Sequence, residues 1–394
     1  MRAGVHAASG GPVRRVAASA VVALIAGSAT VVGVAPGTAT AATAATWQPV
    51  STPQPTSLSD HAFDDISCPT TSFCMAVGDS ASADGDEVAP AVETFDGHDW
   101  TVRHPIGVGT ESDLTGVSCL SATACTAVGA SLDAKADRDD PLAESWNGQT
   151  WRIETTVVPA AGGALASVSC PTSSTCLAVG GTDGLRTLTE RWRSGGAGWS
   201  VLAAPAPGGD AGLEHVSCVS TSFCVTVGQA GASGGSGVAD TYNGTAWTGD
   251  TLPGGARGGL RGVSCPAAHA CVAVGRVPGS VSSPVSLVLT GTTWTAHTVA
   301  IAGRSGELLG VACRSATSCT AVGDRSPTTS SQVPAVDHWN GSTWAARTVR
   351  APATAVSSLG GVSSPGTATA YAVGADSAAS GQGSKVLVQR GTPT

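Results

Sequence analysis

The feature that most constrains this chain is one pattern of about fifty residues that returns along almost its whole length. A Val-Gly mark recurs at Val77-Gly78, Val128-Gly129, Val179-Gly180, Val227-Gly228, Val274-Gly275, Val322-Gly323 and Val373-Gly374. A Cys-x5-Cys pair precedes six of them: Cys68/Cys74, Cys119/Cys125, Cys170/Cys176, Cys218/Cys224, Cys265/Cys271 and Cys313/Cys319. The seventh copy has Ser364 and Ala370 at those places. A tryptophan closes each unit, at Trp47, Trp100, Trp151, Trp199, Trp247, Trp294 and Trp344. The marks agree on seven copies spaced by 47 to 53 residues. That period belongs to small sheets that bury their faces only against neighbouring copies, as in propeller blades.

Within a copy the signals are those of four short strands. In copy two these are Leu114 to Cys119, Cys125 to Gly129, Leu142 to Trp146, and Trp151 to Val158 with Pro159 as terminator. Asn147-Gly148 predicts a tight turn between the last two, with positive φ at both central residues. All ten tryptophans fall on repeat marks, so they are expected to pack blades together rather than stack on ligands. The expected fold is an all-β, seven-bladed β-propeller over residues 45–394, with four-stranded blades. Its last copy stops at Gln389-Arg390-Gly391-Thr392, short of a closing tryptophan. The missing strand is therefore expected from Trp47-Gln48-Pro49-Val50, which would join the last blade and close the ring.

Residues 1–44 read as a secretion signal. Arg2, Arg14 and Arg15 precede an apolar run from Val16 to Val34, and Ala-x-Ala sites follow at Ala39 to Ala41 and Ala42 to Ala44. Gly27, Ser28, Thr30 and Gly33 dilute the run, which favours cleavage over a retained anchor. The expected location is secreted or extracellular, with no membrane attachment after cleavage. All twelve cysteines fall in short-spaced pairs, which suits an oxidising compartment. Each pair is expected to form a disulfide inside its own copy, contributing about 2 kcal/mol in the chain-entropy model. Zinc would need four ligands at one point, which pairs distributed over six copies do not offer.

Charge is lopsided. Residues 46–160 carry 18 acidic and 4 basic side chains, a balance of −14, whereas residues 161–394 carry 10 and 13. The segments between second and third strands hold Asp84, Asp86 and Glu87 in copy one and Asp137, Asp139 and Asp140 in copy two. Together with the connection bearing Glu111 and Asp113 they are expected to form one negative patch, for a divalent cation such as calcium or a basic protein segment. No cofactor is otherwise expected. A second acid recurs two residues before the third-strand aromatic, as Glu93, Glu144, Glu190, Asp240 and Asp337, and its repetition predicts a structural role. Asn243-Gly244-Thr245 and Asn340-Gly341-Ser342 match the glycosylation sequon but also form the turn of their copies. There is no phosphate loop, dinucleotide fingerprint or basic aromatic surface, and the net charge of −8 disfavours nucleic acid.

Ser145-Trp146-Asn147-Gly148-Gln149-Thr150-Trp151 resembles the Asp-box hairpin of sialidase-type propellers, with Asn in place of Asp and one residue out of step. The wider frame, L-x-x-V-x-C followed by A-V-G and a G-x-x-W turn, is similar to photosystem II assembly-factor-like propellers and to secreted actinobacterial repeat proteins. That resemblance implies a propeller and no particular activity. A sialidase would need an arginine triad and a nucleophilic tyrosine, and Tyr242 occupies an ordinary aromatic blade position. The expected function is a non-catalytic, monomeric binding or scaffold module for an extracellular protein or glycan. The alternative is an extracellular glycoside hydrolase or lyase with an unrecognised acid/base pair.

Overall fold

The computed structural model describes residues 46–392 apart from 55–57, 110, 197, 204–209, 232–234, 254–257, 280, 300–302, 329–330, 351–355 and 378–382. The secretion signal assigned to residues 1–44 lies outside the described residues. The described chain is all strand and turn, in the layered four-stranded antiparallel sheets of a β-propeller repeat fold. Copy one forms Asp60–Thr70, Phe73–Ala81, Val88–Phe95 and Trp100–Arg103, paired in that order. Copy two follows with Ser112–Ser121, Ala124–Asp133, Arg138–Trp146 and Trp151–Ile153. Copies three, four and five repeat this, starting at Gly163–Thr172, Ala211–Ser220 and Leu260–Ala267.

Copies six and seven are linked into one larger sheet. Ser305–Ser315, Ser318–Thr328, Ser331–Trp339 and Trp344–Ala346 make the first part, and a single parallel pair, Gln332 with Val356, leads into Val356–Ser363, Ala370–Ser377 and Ser384–Gly391. The fourth strand beside Ser384–Gly391 is Thr46–Val50, from the other end of the described chain. It runs antiparallel, with Gln48 opposite Arg390 and Val50 opposite Val388. The first strand of copy one packs against all three strands of copy seven. Phe63 and Ile66 share an apolar cluster with Tyr371, Val373 and Val388.

The repeated Val-Gly mark has a steric cause. A Cβ on Gly78, Gly129, Gly180, Gly228, Gly275, Gly323 or Gly374 would collide with a backbone carbonyl of the adjoining first strand. The valine beside it is fully buried in every copy, from Val77 to Val373.

Six disulfides staple first strand to second, each inside its own copy as the spacing predicts. They join Cys68 to Cys74, Cys119 to Cys125 and Cys170 to Cys176 in copies one to three. In copies four to six they join Cys218 to Cys224, Cys265 to Cys271 and Cys313 to Cys319. The Cα atoms are 4.0 Å apart in all six. Cys119 with Cys125, Cys218 with Cys224 and Cys313 with Cys319 are direct partners across the ladder. The second cysteine of a pair always takes the second place of its strand, and Cys74, Cys125, Cys176, Cys224, Cys271 and Cys319 are all buried.

At the turn between third and fourth strands, Asn147 Oδ1 accepts the N–H groups of Gln149 and Thr150. That side-chain cap departs from the expected hairpin, because only Gly148 takes positive φ, at 96°. The fourth strand of copy two is also shorter than its sequence signals, ending at Ile153. Beyond it the chain crosses to copy three, where the Val157 N–H meets Glu190.

Neighbouring sheets are joined by one recurring hydrogen bond. The serine just before the first cysteine of a copy accepts the cysteine N–H of the next copy. Cys119 donates to Ser67 at 2.9 Å, Cys170 to Ser118 at 3.0 Å and Cys218 to Ser169 at 3.0 Å. Cys265 donates to Ser217 at 3.0 Å, Cys313 to Ser264 at 2.9 Å, and Cys68 to Ser363 at 3.0 Å across 295 residues of chain. Copy six has Ala312 at the serine place and so offers no such acceptor to copy seven. Ala312→Ser should raise the melting temperature, and Ser363→Ala should lower it, each corresponding to about 1 kcal/mol. Calorimetry on both variants checks this; a neutral Ser363→Ala would remove the bond from the account of stability.

Candidate functional site

The acidic segments of copies one and two are held side by side by backbone contacts. Val88 forms a parallel bridge with Glu111 of the intervening connection, and the Leu132 N–H donates to the Glu111 carbonyl. Asp84 turns back on its own loop, accepting from Ser82 Oγ at 2.6 Å and from the Asp86 N–H. The Ser82 hydrogen bond, ahead of that N–H, holds its carboxyl below the usual range. Asp86 and Glu87 are exposed in the same turn. In copy two Asp137 sits at the hairpin tip with φ 52°, a conformation that Asp and Asn tolerate. Asp139 and Asp140 follow on the third strand, and Asp140 is paired with Arg138 at 2.9 Å.

The acidic surface also extends into copy three. Asp183, in the matching hairpin, has its pKa raised by burial first and then by the charges of Asp139 and Asp140. The like-charge contribution marks a concentration of negative charge at that edge. Sequence reading missed Asp183 because copy three has a single acid between its second and third strands. Its position in the repeat, equivalent to the Asp133 region of copy two, was the available signal. Among the described residues no three His, Cys, Asp or Glu side chains gather closely enough to hold a metal ion. The cysteines add nothing reactive to the site, since none of those described is free: Cys74, Cys176, Cys224, Cys271 and Cys319, like Cys125, are held by the disulfides of their copies.

The recurring third-strand acids face inward. Glu144 is fully buried and takes the N–H groups of Ile106 and Gly107, both at 2.9 Å, from the connection entering its copy. Glu190 takes the Val157 N–H at 3.3 Å in the same manner. Burial raises both, Glu190 to about 7, against the opposing pull of those N–H groups. Each therefore clamps the chain where it passes between copies. Glu93, like Asp240 and Asp337, takes no such N–H among the described residues: it is fully buried, with neither oxygen partnered there, and pushed up by burial to about 8. The residue six after the preceding tryptophan, which supplies an N–H in copies two and three, is here Pro53, which has none.

A third group of polar residues comes from β-bulges. Every first strand shifts register at the same place, by one extra residue: Asp64, Thr115, Ala166, Glu214, Arg261, Leu309 and Gly360. All seven line one cavity of about 110 Å³. Its charges are internally engaged. Glu214 is bridged to Arg261 at 2.7 Å, and Asp65 accepts the N–H groups of Ile66 and Val117. Burial raises Asp65 to about 6 and depresses His215 to about 4, so the imidazole is neutral at ordinary pH. The sequence signal for this cavity was the variable position that follows Phe63, Leu114, Leu165, Leu213, Leu260, Leu308 and Leu359.

No protein-family model matches the sequence, and a search of curated proteins found none similar to it. Solved structures of like shape do exist. YCF48, a photosystem II assembly factor seen bound to a D1 peptide, superposes with a TM-score of 0.55 over 87% of this chain and 96% of its own, at 15% identity. The xyloglucanase of Xanthomonas campestris superposes at 0.53 over 87% of this chain and 14% identity; the match spans about half of that enzyme, 55%. At such identities the likeness shows the β-propeller fold.

The Glu93 environment generates a pH prediction. Its folded pKa of about 8 lies above the ordinary 4.5, so the folded state holds a proton that the unfolded chain has released between those values. The stability so gained is full below the unfolded pKa and lost as pH rises through the folded one. Glu93→Gln should therefore match the wild type in melting temperature at acid pH and exceed it above pH ~8. Equal pH profiles for the two proteins would show that Glu93 ionises in the fold without cost.

Proposed function

We propose that this chain is a secreted, seven-bladed propeller that serves as a non-catalytic binding or scaffold module. The sevenfold reading is supported by the seven bulge residues that share one cavity, one from each copy. Closure by the N-terminal strand is supported by its pairing with Ser384–Gly391 and by the Cys68 to Ser363 hydrogen bond. Six disulfides and an N-terminal segment of leader character support passage into an oxidising compartment.

The observation that carries the binding role is the contact of three acidic segments along one edge, through Glu111, on disulfide-stapled sheets. Loops fixed on a rigid scaffold are common binding positions, and grouped charge draws an opposite partner. The ligand of that edge is a basic protein segment, met by Asp86, Glu87, Asp137, Asp139 and Asp140, with Asp183 added from copy three. Calcium is the weaker candidate, since among the described residues no three acids gather closely enough to hold a metal ion. YCF48, of similar fold, is seen with a peptide, which fits a peptide ligand here.

The test uses a lysine-rich peptide and the Asp137→Asn, Asp139→Asn, Asp140→Asn triple variant, Asn being chosen because it tolerates the backbone at 137. Wild type should bind with an affinity that falls as salt rises, and the variant about tenfold more weakly at low salt with stability nearly unchanged. Calorimetry with calcium runs in parallel. Peptide binding that is equal in both proteins, or calcium binding without peptide binding, would overturn this reading of the edge.

A further inference from the structure

A cleft of about 420 Å³ lies at the seam between copies two and three. Its walls are the end of the copy-two fourth strand, with Arg152 and Glu154, and the copy-three hairpin, with Trp192, Arg193, Gly195 and Gly198. The two walls are joined by the Trp199 N–H, which donates to the Thr155 carbonyl at 2.8 Å. A volume of this size is typical of small-ligand sites.

Trp192 departs from its copies. The equivalent Phe95, Trp146, Tyr242 and Trp339 are at most 7% exposed. Each stacks against the closing tryptophan of its own copy, with centroids 5.0 to 5.5 Å apart. Among the described residues Trp192 makes no such pair; it packs on the core from one side and is otherwise half-exposed to the cleft. The cause is in the hairpin. Four residues separate Trp146 from Trp151, but six separate Trp192 from Trp199, and no Asn or Asp caps that turn. Gly195 and Gly198 take positive φ, at 78° and 121°.

The charge of the cleft is opposite to that of the protein. Arg152 is 78% exposed and reaches Glu154 at 3.2 Å, and Glu154 also accepts from Ser145 at 2.7 Å. Arg193 is exposed on the facing wall. Two guanidiniums against one engaged carboxylate give a positive balance in a chain of net charge −8. A ligand for this cleft needs an apolar flat face for the indole, a planar anion for the guanidiniums, and a hydroxyl for Glu154.

We propose that the seam between copies two and three is a binding site for an acidic saccharide, in which a hexuronate ring lies on Trp192 and its carboxylate is held by Arg152 and Arg193. The C–H face of a pyranose presents positive hydrogens to the negative face of the indole. A carboxylate suits the forked donors of arginine, which lysine would not replace.

The test titrates the unreduced protein with trigalacturonate, triglucuronate and the methyl ester of the former, which keeps the ring and removes the charge. Calorimetry and tryptophan fluorescence are read together. Saturable binding of at least one free acid, with the ester about tenfold weaker, is expected. Trp192→Ala should abolish it. Arg152→Gln with Arg193→Gln changes only exposed side chains, keeps the melting temperature, and should weaken binding at least about tenfold. It decides the matter even where Trp192→Ala misfolds. No saturation by either acid up to about 10 mM, equal binding of the ester, or unaltered binding by the double arginine variant would overturn the proposal.

Discussion

A serine hydroxyl on one first strand accepting an amide from the next is the contact on which this architecture turns. The sheets are narrow, their fourth strands often only three residues long, and each exposes two apolar faces that only neighbours can cover. Burial holds neighbours together but does not by itself set their register. The serine bond does, because its donor is the amide of the cysteine that staples the following sheet. Six such bonds at about 1 kcal/mol each are comparable with the whole stability of a typical domain. The glycine of the Val-Gly mark acts with them, letting the second strand approach the first closely enough for the cysteines to face each other.

Buried charge in this fold serves continuity of the chain. Glu144 and Glu190 accept amides from the segments that cross between copies, where strand pairing has ended and backbone donors would otherwise be orphaned. Asp65 does the same one layer inward, taking the Val117 amide of the next copy. Glu93 keeps the residue type of this device without its donor, and its pKa records the cost. The raised third-strand carboxylates Glu93, Glu144, Glu190, Asp240 and Asp337 thus follow the repeat, at one place in each of their copies. Charges that break the repeat carry more information: the acids of the copy one and two hairpins, and the arginines beside Trp192.

Much of this was legible in the sequence because a repeated residue reports a repeated environment. The sheets, the six disulfides from Cys68–Cys74 to Cys313–Cys319, and the strand supplied by Trp47 to Val50 all follow from the spacing of Cys, Gly and Trp. The bulge was not legible, since an extra residue in a strand has no signature beyond variability at Asp64, Thr115 and their counterparts. Nor was the role of Ser67 or Ser118, for the partner amide lies in another copy. Trp192 was assigned to packing with its nine fellows, which are buried; the longer hairpin that uncovers it was visible as a two-residue insertion. The negative edge was anticipated from composition, but its continuation to Asp183 depends on how the hairpins of copies two and three approach.

Native-state hydrogen exchange reads the inter-sheet bonds one by one, because they are all made by identifiable amides. The amides of Cys119, Cys170, Cys218, Cys265 and Cys313 should exchange only through global unfolding, and the Cys68 amide, bonded to Ser363, should be equally slow. The Ser364 amide, opposite Ala312, should exchange faster than these six. Exchange of Cys68 at the rate of a surface amide, with the other five protected, would contradict this: the first and last sheets would then be neighbours without being joined.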